Sequence, residues 1–347
     1  MAWPDPPGDT MDINLHIGAH RTATTTLQQF LDRNTAVLRH SGVEVWTPAR
    51  TRKGLFSGLF ERPEDVTDEV ERRGNRSCGL INIELERARR MGCSRLLISD
   101  ENAIGSTRNN LRQQQLYPLL SERLVRLAPA FGGHLRRIGL SIRSYDTYWA
   151  SSLAFGLTQS FRMPLMADLD HFITQPRRWR HLICDVATAF PGVEILVWPF
   201  ERFAGQPDAQ LSFLTGGFTP MVPMAGARDW SNPSPRYEKL QMIVSQRGEA
   251  DLGRKLTDRA GRWMPFDEAQ RMALRAQYDA DLDWLRSGAD GLAQLVEKSG
   301  TVANSDKTRT ITKHYDMEGI GMVAMGSSRP FDLPLGGRQF GAQEIMV

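Results

Sequence analysis

The chain has 347 residues, of which 41% are hydrophobic and 24% charged, and its formal net charge is +3. This composition is typical of a globular protein with one large domain or two. So small a net charge gives no global field that would attract nucleic acid, and no apolar run approaches the ~20 residues of a membrane span. The three cysteines are odd in number and widely spaced, so they form no zinc pattern and favour reduced thiols. We therefore expect a cytoplasmic protein without a bound metal.

The two ends of the chain differ in composition from the region between them. Residues 1–11 are rich in proline and lack the apolar segment of a signal peptide, so they are predicted to be a disordered leader. Residues 299–347 are rich in glycine and show no periodicity, so they are predicted to be a loosely ordered tail or arm. Residues 12–298 contain no clear linker and predict one folded domain.

The hydrophobic pattern predicts alternating strands and helices. Ile13, Leu15 and Ile17 alternate with polar residues, and this pattern predicts the first strand. Further strands are predicted at residues 43–46, 95–99, 135–142 and 193–198. Helical spacing occurs at residues 27–38, 81–91, 111–127, 145–157, 172–190, 237–244 and 265–285, and Asp146 is the candidate N-cap of the fourth helix. This alternation predicts an α/β fold with a parallel central sheet of about five strands and helices on both faces.

A charged, glycine-punctuated segment at residues 51–75 interrupts this alternation. Its composition leaves two interpretations open, a flap near the site or a solvated insertion.

The most informative stretch is the turn between the first strand and the first helix. Gly18 ends the strand, and a polar run from residue 19 to residue 26 precedes the helical pattern. Free N–H groups and the dipole at a helix N-terminus attract anions. Arg21 adds a guanidinium whose fork suits phosphate oxygens. Hydroxyl donors come from Thr22, Thr24, Thr25 and Thr26.

This turn departs from the Walker A pattern, because the second glycine position holds Ala23 and the lysine position holds Thr24. It resembles instead the 5′-phosphosulfate loop of sulfotransferases that use 3′-phosphoadenosine 5′-phosphosulfate (PAPS), with the pattern His-Ile-Gly-x-x-Lys-Thr-Gly-Thr-Thr-x-Leu-Gln. The resemblance implies that the 5′-phosphosulfate is bound by Arg21, Thr22, Ala23, Thr24, Thr25 and Thr26. Arg21 stands in place of the lysine and Ala23 in place of the glycine, and the alanine is expected to avoid positive φ.

A second motif follows the fourth predicted strand. Arg143 ends that strand and Ser151 follows eight residues later, early in the next helix, a geometry that can clamp one phosphate between a guanidinium and a hydroxyl. The spacing resembles the 3′-phosphate site of the same family, which implies that Arg143 and Ser151 bind the cofactor's 3′-phosphate. Ser152 is an alternative to Ser151.

A third motif places two carboxylates after the third predicted strand, Asp100 and Glu101. A sulfotransferase needs a base for the proton of the attacking acceptor hydroxyl. Glu101 is the first candidate and His20 the second, because an imidazole titrates near neutral pH. His16 lies within the strand and is predicted to be a core histidine.

The resemblance covers residues 12–50, 94–102, 136–156 and 178–240, including segments 198–201 and 232–234. It implies a P-loop NTPase-like sulfotransferase fold and a PAPS-dependent sulfotransferase. Such an enzyme transfers a sulfuryl group to a hydroxyl or amine on an acceptor such as a glycan or small metabolite, and releases adenosine 3′,5′-bisphosphate. Arg21 is then also catalytic, because it stabilises charge on the leaving phosphate.

Two other functions remain open from the sequence. Residues 96–101 could form a Walker B strand in which Asp100 holds Mg²⁺, as in a P-loop kinase or NTPase, although the loop lysine is missing. A non-catalytic nucleotide-binding protein is the third class.

Overall fold

A parallel β-sheet forms the centre of the fold. The computed structural model describes residues 11–218, 222–229, 234–248, 258–259 and 261–298. The strands of the central sheet are β1 (Asp12–Gly18), β2 (Val43–Trp46), β3 (Arg95–Ser99), β4 (Leu135–Ile142), β5 (Glu194–Pro199) and β8 (Gln294–Leu295). Their order is β2-β3-β1-β4-β5-β8, and all five pairings are parallel. A separate antiparallel pair consists of β6 (Asp258–Arg259) and β7 (Arg262–Trp263).

Helices cover both faces of this sheet. They are α1 (Thr24–Arg33), α2 (Thr35–His40), α3 (Pro48–Arg50), α4 (Asp68–Arg90), α5 (Thr107–Arg112), α6 (Leu120–Leu127), α7 (Tyr145–Thr158), α8 (Met166–Thr174), α9 (Trp179–Ala189), α10 (Phe200–Phe203), α11 (Pro207–Leu214), α12 (Tyr237–Gln246) and α13 (Glu268–Arg286). Ile13, Leu15 and Ile17 pack in the cluster that contains α4, α6, α7, α9 and α13. Leu97 and Trp198 pack on α1 and α11 in a second cluster. Because successive strand residues face opposite sides, β2, β3 and β5 contribute apolar residues to both clusters.

The predicted α/β class is confirmed, and the architecture agrees with a P-loop-like α/β fold. All five predicted strands are present. The sixth, β8, was missed, because its two residues are too few to show any alternation. In the central sheet β1 lies between β3 and β4, with His16 opposite Ser99 and Leu15 opposite Ile138. The residues that follow these three strands therefore meet at one edge of the sheet.

Three predicted helices are each divided in two. The helix predicted at residues 27–38 breaks at Asn34, whose amide donates to the Phe30 carbonyl at 2.7 Å and accepts from the Ala225 N–H at 2.9 Å. The pattern at residues 111–127 contains the end of α5 and all of α6, and the pattern at residues 172–190 contains the end of α8 and all of α9. Such breaks arise from side-chain hydrogen bonds and turns, which periodicity alone does not reveal.

The predicted N-cap of α7 is also corrected. The helix begins at Tyr145 with Ser144 at the N-cap, so Asp146 lies in the first turn. There its carboxylate accepts from the Ser144 hydroxyl at 2.7 Å and the Thr147 N–H at 2.8 Å. An acid in the first turn is stabilised by the helix dipole.

The predicted leader and tail fall almost wholly outside the described residues. Residues 1–10 and 299–347 are not described, whereas Met11, assigned to the leader, is buried in the core. Within the described part of the chain, no helix combines the length and apolar character needed to cross a membrane.

Candidate functional site: an arginine-lined cleft

A cleft of about 300 Å³ lies where the segments after β1, β3 and β4 meet. Ligands bind at this edge in open parallel sheets. Its charged lining residues are five arginines and one carboxylate, namely Arg21, Arg52, Arg108, Arg143, Arg262 and Glu101. A concave wall with so many guanidinium groups favours an anionic ligand.

Gly18 allows the strand, the loop and Glu101 to approach one another closely. Its φ is +73°, in the region that favours glycine. A Cβ at this position would lie 2.8 Å from Thr24 Cγ2 and 3.0 Å from Glu101 Cβ. The space at the end of β1 is therefore filled by the loop and by the candidate base.

The loop backbone departs from what the sequence led us to expect. Ala23 was expected to avoid positive φ, and this is wrong, because its φ is +61° and its ψ is +28°. Arg21 also has a positive φ, +64°. The left-handed conformation costs a residue with a Cβ about 1–2 kcal/mol, so the loop keeps, at some cost in energy, a shape in which glycine is easier to accommodate.

That backbone shape leaves donors unused at the start of α1. Ala23 occupies the N-cap position, and its carbonyl accepts from the Thr26 N–H at 3.0 Å. Within the described ranges, the N–H groups of Ala23, Thr24 and Thr25 donate to no protein group. Ala23, Thr24 and Thr25 all line the cleft. Free N–H groups at a helix start are the physical basis of an anion site.

The Arg21 side chain crosses from the loop to α7. Its Nε donates to Ser151 Oγ at 2.9 Å and its Nη2 to Ser234 Oγ at 3.1 Å, and the two hydroxyls are 2.7 Å apart. The guanidinium also lies over the Phe155 ring, 5.5 Å from its centroid. Arg21 is thus held on several sides and not free in solvent.

Arg143 lies beside the loop but does not contact Ser151. Its Nη1 donates to the Arg21 carbonyl at 2.7 Å and its Nε to Thr147 Oγ1 at 3.0 Å. Its guanidinium stacks on Phe200, 4.4 Å from the ring centroid. The structure therefore places Arg143 in the cleft lining and the buried Ser151 against Arg21, not against Arg143. The role predicted for Arg143 and Ser151 remains a prediction.

In the described part of the chain, Arg21 and Arg143 donate to hydroxyls and a backbone carbonyl and have no carboxylate partner. Arg143 is only 6% exposed. Burial, together with the positive charges of Arg21 and Arg262, lowers its pKa to about 10 against the opposing charge of Glu201. Burial also lowers the pKa of Arg21. Both remain charged at neutral pH, so an anion in the cleft would relieve an unfavourable pair of like charges.

Glu101 is fixed by donors on both carboxylate oxygens. Gln28 Nε2 donates to Oε2 at 2.6 Å, and Arg52 Nη2 donates to Oε1 at 3.0 Å. Burial alone would raise the pKa of Glu101, but the charges of His20 and Arg52 and the Gln28 hydrogen bond lower it to about 2. Glu101 is therefore a carboxylate at neutral pH, in the protonation state that a base requires.

His20 uses both ring nitrogens within the protein. Nδ1 is 3.0 Å from the buried Tyr117 hydroxyl, and Nε2 is 3.3 Å from Asn102 Oδ1. Burial lowers the pKa of His20, although the charge of Glu101 opposes the shift. Protein groups therefore engage both ring nitrogens of His20, which leaves neither directed at a ligand in the cleft.

The remaining predicted residues lie beneath the cleft. Thr22 is buried and its hydroxyl donates to the Ala19 carbonyl at 2.6 Å, which shapes the loop. Thr26, Ser151 and Ser152 are buried too. His16 is a core histidine as predicted, 1% exposed and stacked on Trp198.

Sequence reasoning missed several residues of the cleft. Arg52, Arg108 and Arg262 line it, and Tyr117 supports His20. Arg52 belongs to the charged segment at residues 51–75, and that charge is the one signal for it in the sequence. Of the segment 232–234, Ser234 reaches Arg21, whereas residues 232 and 233 lie outside the described residues.

When the chain is compared with known proteins, no protein-family model matches it and no curated protein matches it either.

Proposed function

We propose that this chain is a PAPS-dependent sulfotransferase, with the cleft as its active site. The observation that carries the proposal is the pair formed by Arg21 and Arg143, two cationic side chains without a carboxylate partner in the described structure, next to the free N–H groups at the start of α1. This arrangement fits a ligand with more than one phosphate-type group. A Walker lysine is missing, and the guanidinium groups supply the positive charge themselves.

The chain's own groups have distinct roles in this proposal. PAPS would supply the activated sulfuryl group. The N–H groups of Ala23, Thr24 and Thr25 and the Arg21 guanidinium bind the 5′-phosphosulfate and offset the charge that develops there. Arg143 and Ser151 are assigned to the 3′-phosphate.

Glu101 is the proposed base for the acceptor proton. Its carboxylate lines the cleft and is ionised, whereas both ring nitrogens of His20 are engaged by Tyr117 and Asn102. Because β3 and β4 flank β1 on opposite sides, Glu101 lies on the side away from Arg143. The acceptor, a hydroxyl or amine compound such as a glycan or small metabolite, is therefore assigned to the β3 side.

A kinase with Mg²⁺ at Asp100 is the second candidate, and the contacts of Asp100 weigh against it. This carboxylate is fully buried. It accepts from the Thr51 hydroxyl, from Arg52 Nη2 at 2.7 Å and from the Asn102 N–H at 3.0 Å. A metal ion there would have to displace Arg52.

Calorimetry with two nucleotides tests the proposal. We expect adenosine 3′,5′-bisphosphate to bind without added metal, and we expect Arg21→Gln to weaken this binding. The exposed Arg62, which pairs with Glu64 and Asp65, provides the control substitution Arg62→Gln. Binding of ATP with Mg²⁺ but not of the bisphosphate would instead establish the kinase function.

The compartment is part of the same proposal. Cys78, Cys93 and Cys184 all lack a disulfide, which favours a reducing compartment, and we propose the cytoplasm.

A further inference from the structure

Two consecutive residues after β2 contact the two consecutive carboxylates after β3. The Thr51 hydroxyl donates to Asp100, and Arg52 Nη2 donates both to Asp100 Oδ1 at 2.7 Å and to Glu101 Oε1 at 3.0 Å. The segment that carries them is a wide turn, Thr51–Leu55, that follows α3 directly. The Arg52 guanidinium therefore links the candidate base, Glu101, to a segment that belongs to none of the three predicted motifs.

We propose that Arg52 is a positioning residue, which fixes the Glu101 carboxylate in the cleft and keeps it deprotonated. The inference rests on the proposed function, because it assigns a role to the partner of the proposed base. Arg52 acts through Glu101 and is not assigned to substrate or cofactor.

The geometry around Glu101 supports this role over that of a surface ion pair. The Glu101 side chain is 13% exposed and Asp100 is fully buried, whereas Arg52 is 39% exposed. Gln28 Nε2 also donates to the Glu101 carboxylate, at 2.6 Å. Among the described residues, removing Arg52 leaves Gln28 as the one side-chain donor, and a single neutral side chain does not fix the orientation of the whole group.

The charge of Arg52 has a second effect. An opposite charge at hydrogen-bond distance lowers a carboxyl pKa by about 1–3 units, and Arg52 is one cause of the low pKa of Glu101. Without Arg52 the pKa of Glu101 should rise, so the carboxylate would begin to protonate at higher pH. A residue that merely stabilised the fold would not shift this titration.

The experiment compares the full-length wild type with Arg52→Ala, Arg52→Lys and the control Arg62→Ala. Arg62 is as exposed as Arg52, at 39%, and pairs with Glu64 and Asp65. Crystal structures report the position of the Glu101 carboxylate. A carbon-13 NMR titration of that carboxyl, identified by its loss in Glu101→Gln, reports its protonation.

We expect Arg52→Ala to displace the carboxylate by more than about 1 Å, a distance that matters for catalysis. The onset of protonation should rise by at least about one pH unit. Arg52→Lys keeps the positive charge, so it should retain most of the wild-type carboxylate position and titration, and it serves as the second variant if Arg52→Ala is too unstable to crystallise. Arg62→Ala should match the wild type in both measurements. An unmoved carboxylate, or an unshifted titration, in Arg52→Ala overturns the inference.

Calorimetry with adenosine 3′,5′-bisphosphate on the same variants separates the two proposals. The guanidinium of Arg52 is already paired with Asp100 and Glu101 and is not assigned to the cofactor, so its loss should change the affinity by less than about twofold. A wild type that does not bind the bisphosphate refutes the proposed function, while the position and titration of Glu101 still decide the role of Arg52.

Discussion

Replacing Ala23 by glycine should stabilise the protein, although glycine usually destabilises. The left-handed conformation of Ala23, φ +61°, costs about 1–2 kcal/mol for a residue with a Cβ. Glycine avoids that cost but loses about 0.4–1 kcal/mol through the greater freedom of the unfolded chain. The difference predicts a net gain of about 0.5–1 kcal/mol in the free energy of unfolding.

Urea unfolding measures this gain, as a higher midpoint with an unchanged slope. Ala187 provides the matched control, because it is also partly buried but lies within α9. There Ala187→Gly should lower the free energy of unfolding by about 0.5–1 kcal/mol. Destabilisation by Ala23→Gly of the same size as in the control would mean that the loop does not hold the left-handed conformation in solution, and the reasoning would fail.

Three further predictions concern the cleft. Arg143→Ala should weaken the binding of adenosine 3′,5′-bisphosphate by about 1.5–3 kcal/mol, roughly 10–150-fold, and leave the binding of adenosine 5′-phosphosulfate nearly unchanged. Calorimetry that finds equal losses for the two ligands would show that Arg143 acts through the Arg21 carbonyl and not on the 3′-phosphate. Once a screen with labelled PAPS has identified an acceptor, Glu101→Gln should lower turnover by about 10²-fold and leave cofactor affinity unchanged; this is the lower end for general-base catalysis, because so acidic a carboxyl is a weak base. His20→Ala should alter the loop and so weaken cofactor binding as well. Full turnover in Glu101→Gln would remove Glu101 from the mechanism. The pKa of Glu101 falls from 4.5 to about 2 on folding, so about 3 kcal/mol of stability is present above pH 4.5 and is lost as the pH falls toward 2. The free energy of unfolding of the wild type should therefore exceed that of Glu101→Gln by less at pH 3 than at pH 5. An equal difference at the two pH values would contradict this shift.

The fold was largely predictable because its signals are local. Five strands with alternating or continuous apolar residues, and the glycine that ends β1, locate the sheet and the loop from the sequence alone. Helix boundaries were less accurate, since Asn34 ends α1 through a hydrogen bond to residue 225, far along the chain. The left-handed Ala23 contradicts the usual preference of alanine, so tertiary structure overrides local preference there.

The site was predictable only in part, because its partners are distant in sequence. Arg21, His20, Glu101 and Arg143 reach the cleft because three strand ends meet there. No local pattern indicates that Arg52 turns back toward Glu101, or that Arg21 takes the place expected for Arg143 on Ser151. These contacts depend on the path of the chain between strands, which spacing does not define.

The central place of β1 in the sheet has a consequence for synthesis on the ribosome. This strand is made first, but both of its neighbours come later, and Gly18 pairs with Leu140. At about 5–20 residues per second, the apolar strand waits roughly 6–25 s before its second partner is complete. Until then the loop that follows it lacks Arg143, which comes directly after β4. A fragment that ends before β4 should therefore lack a formed cleft, and chaperones have their main opportunity to bind this chain during that interval.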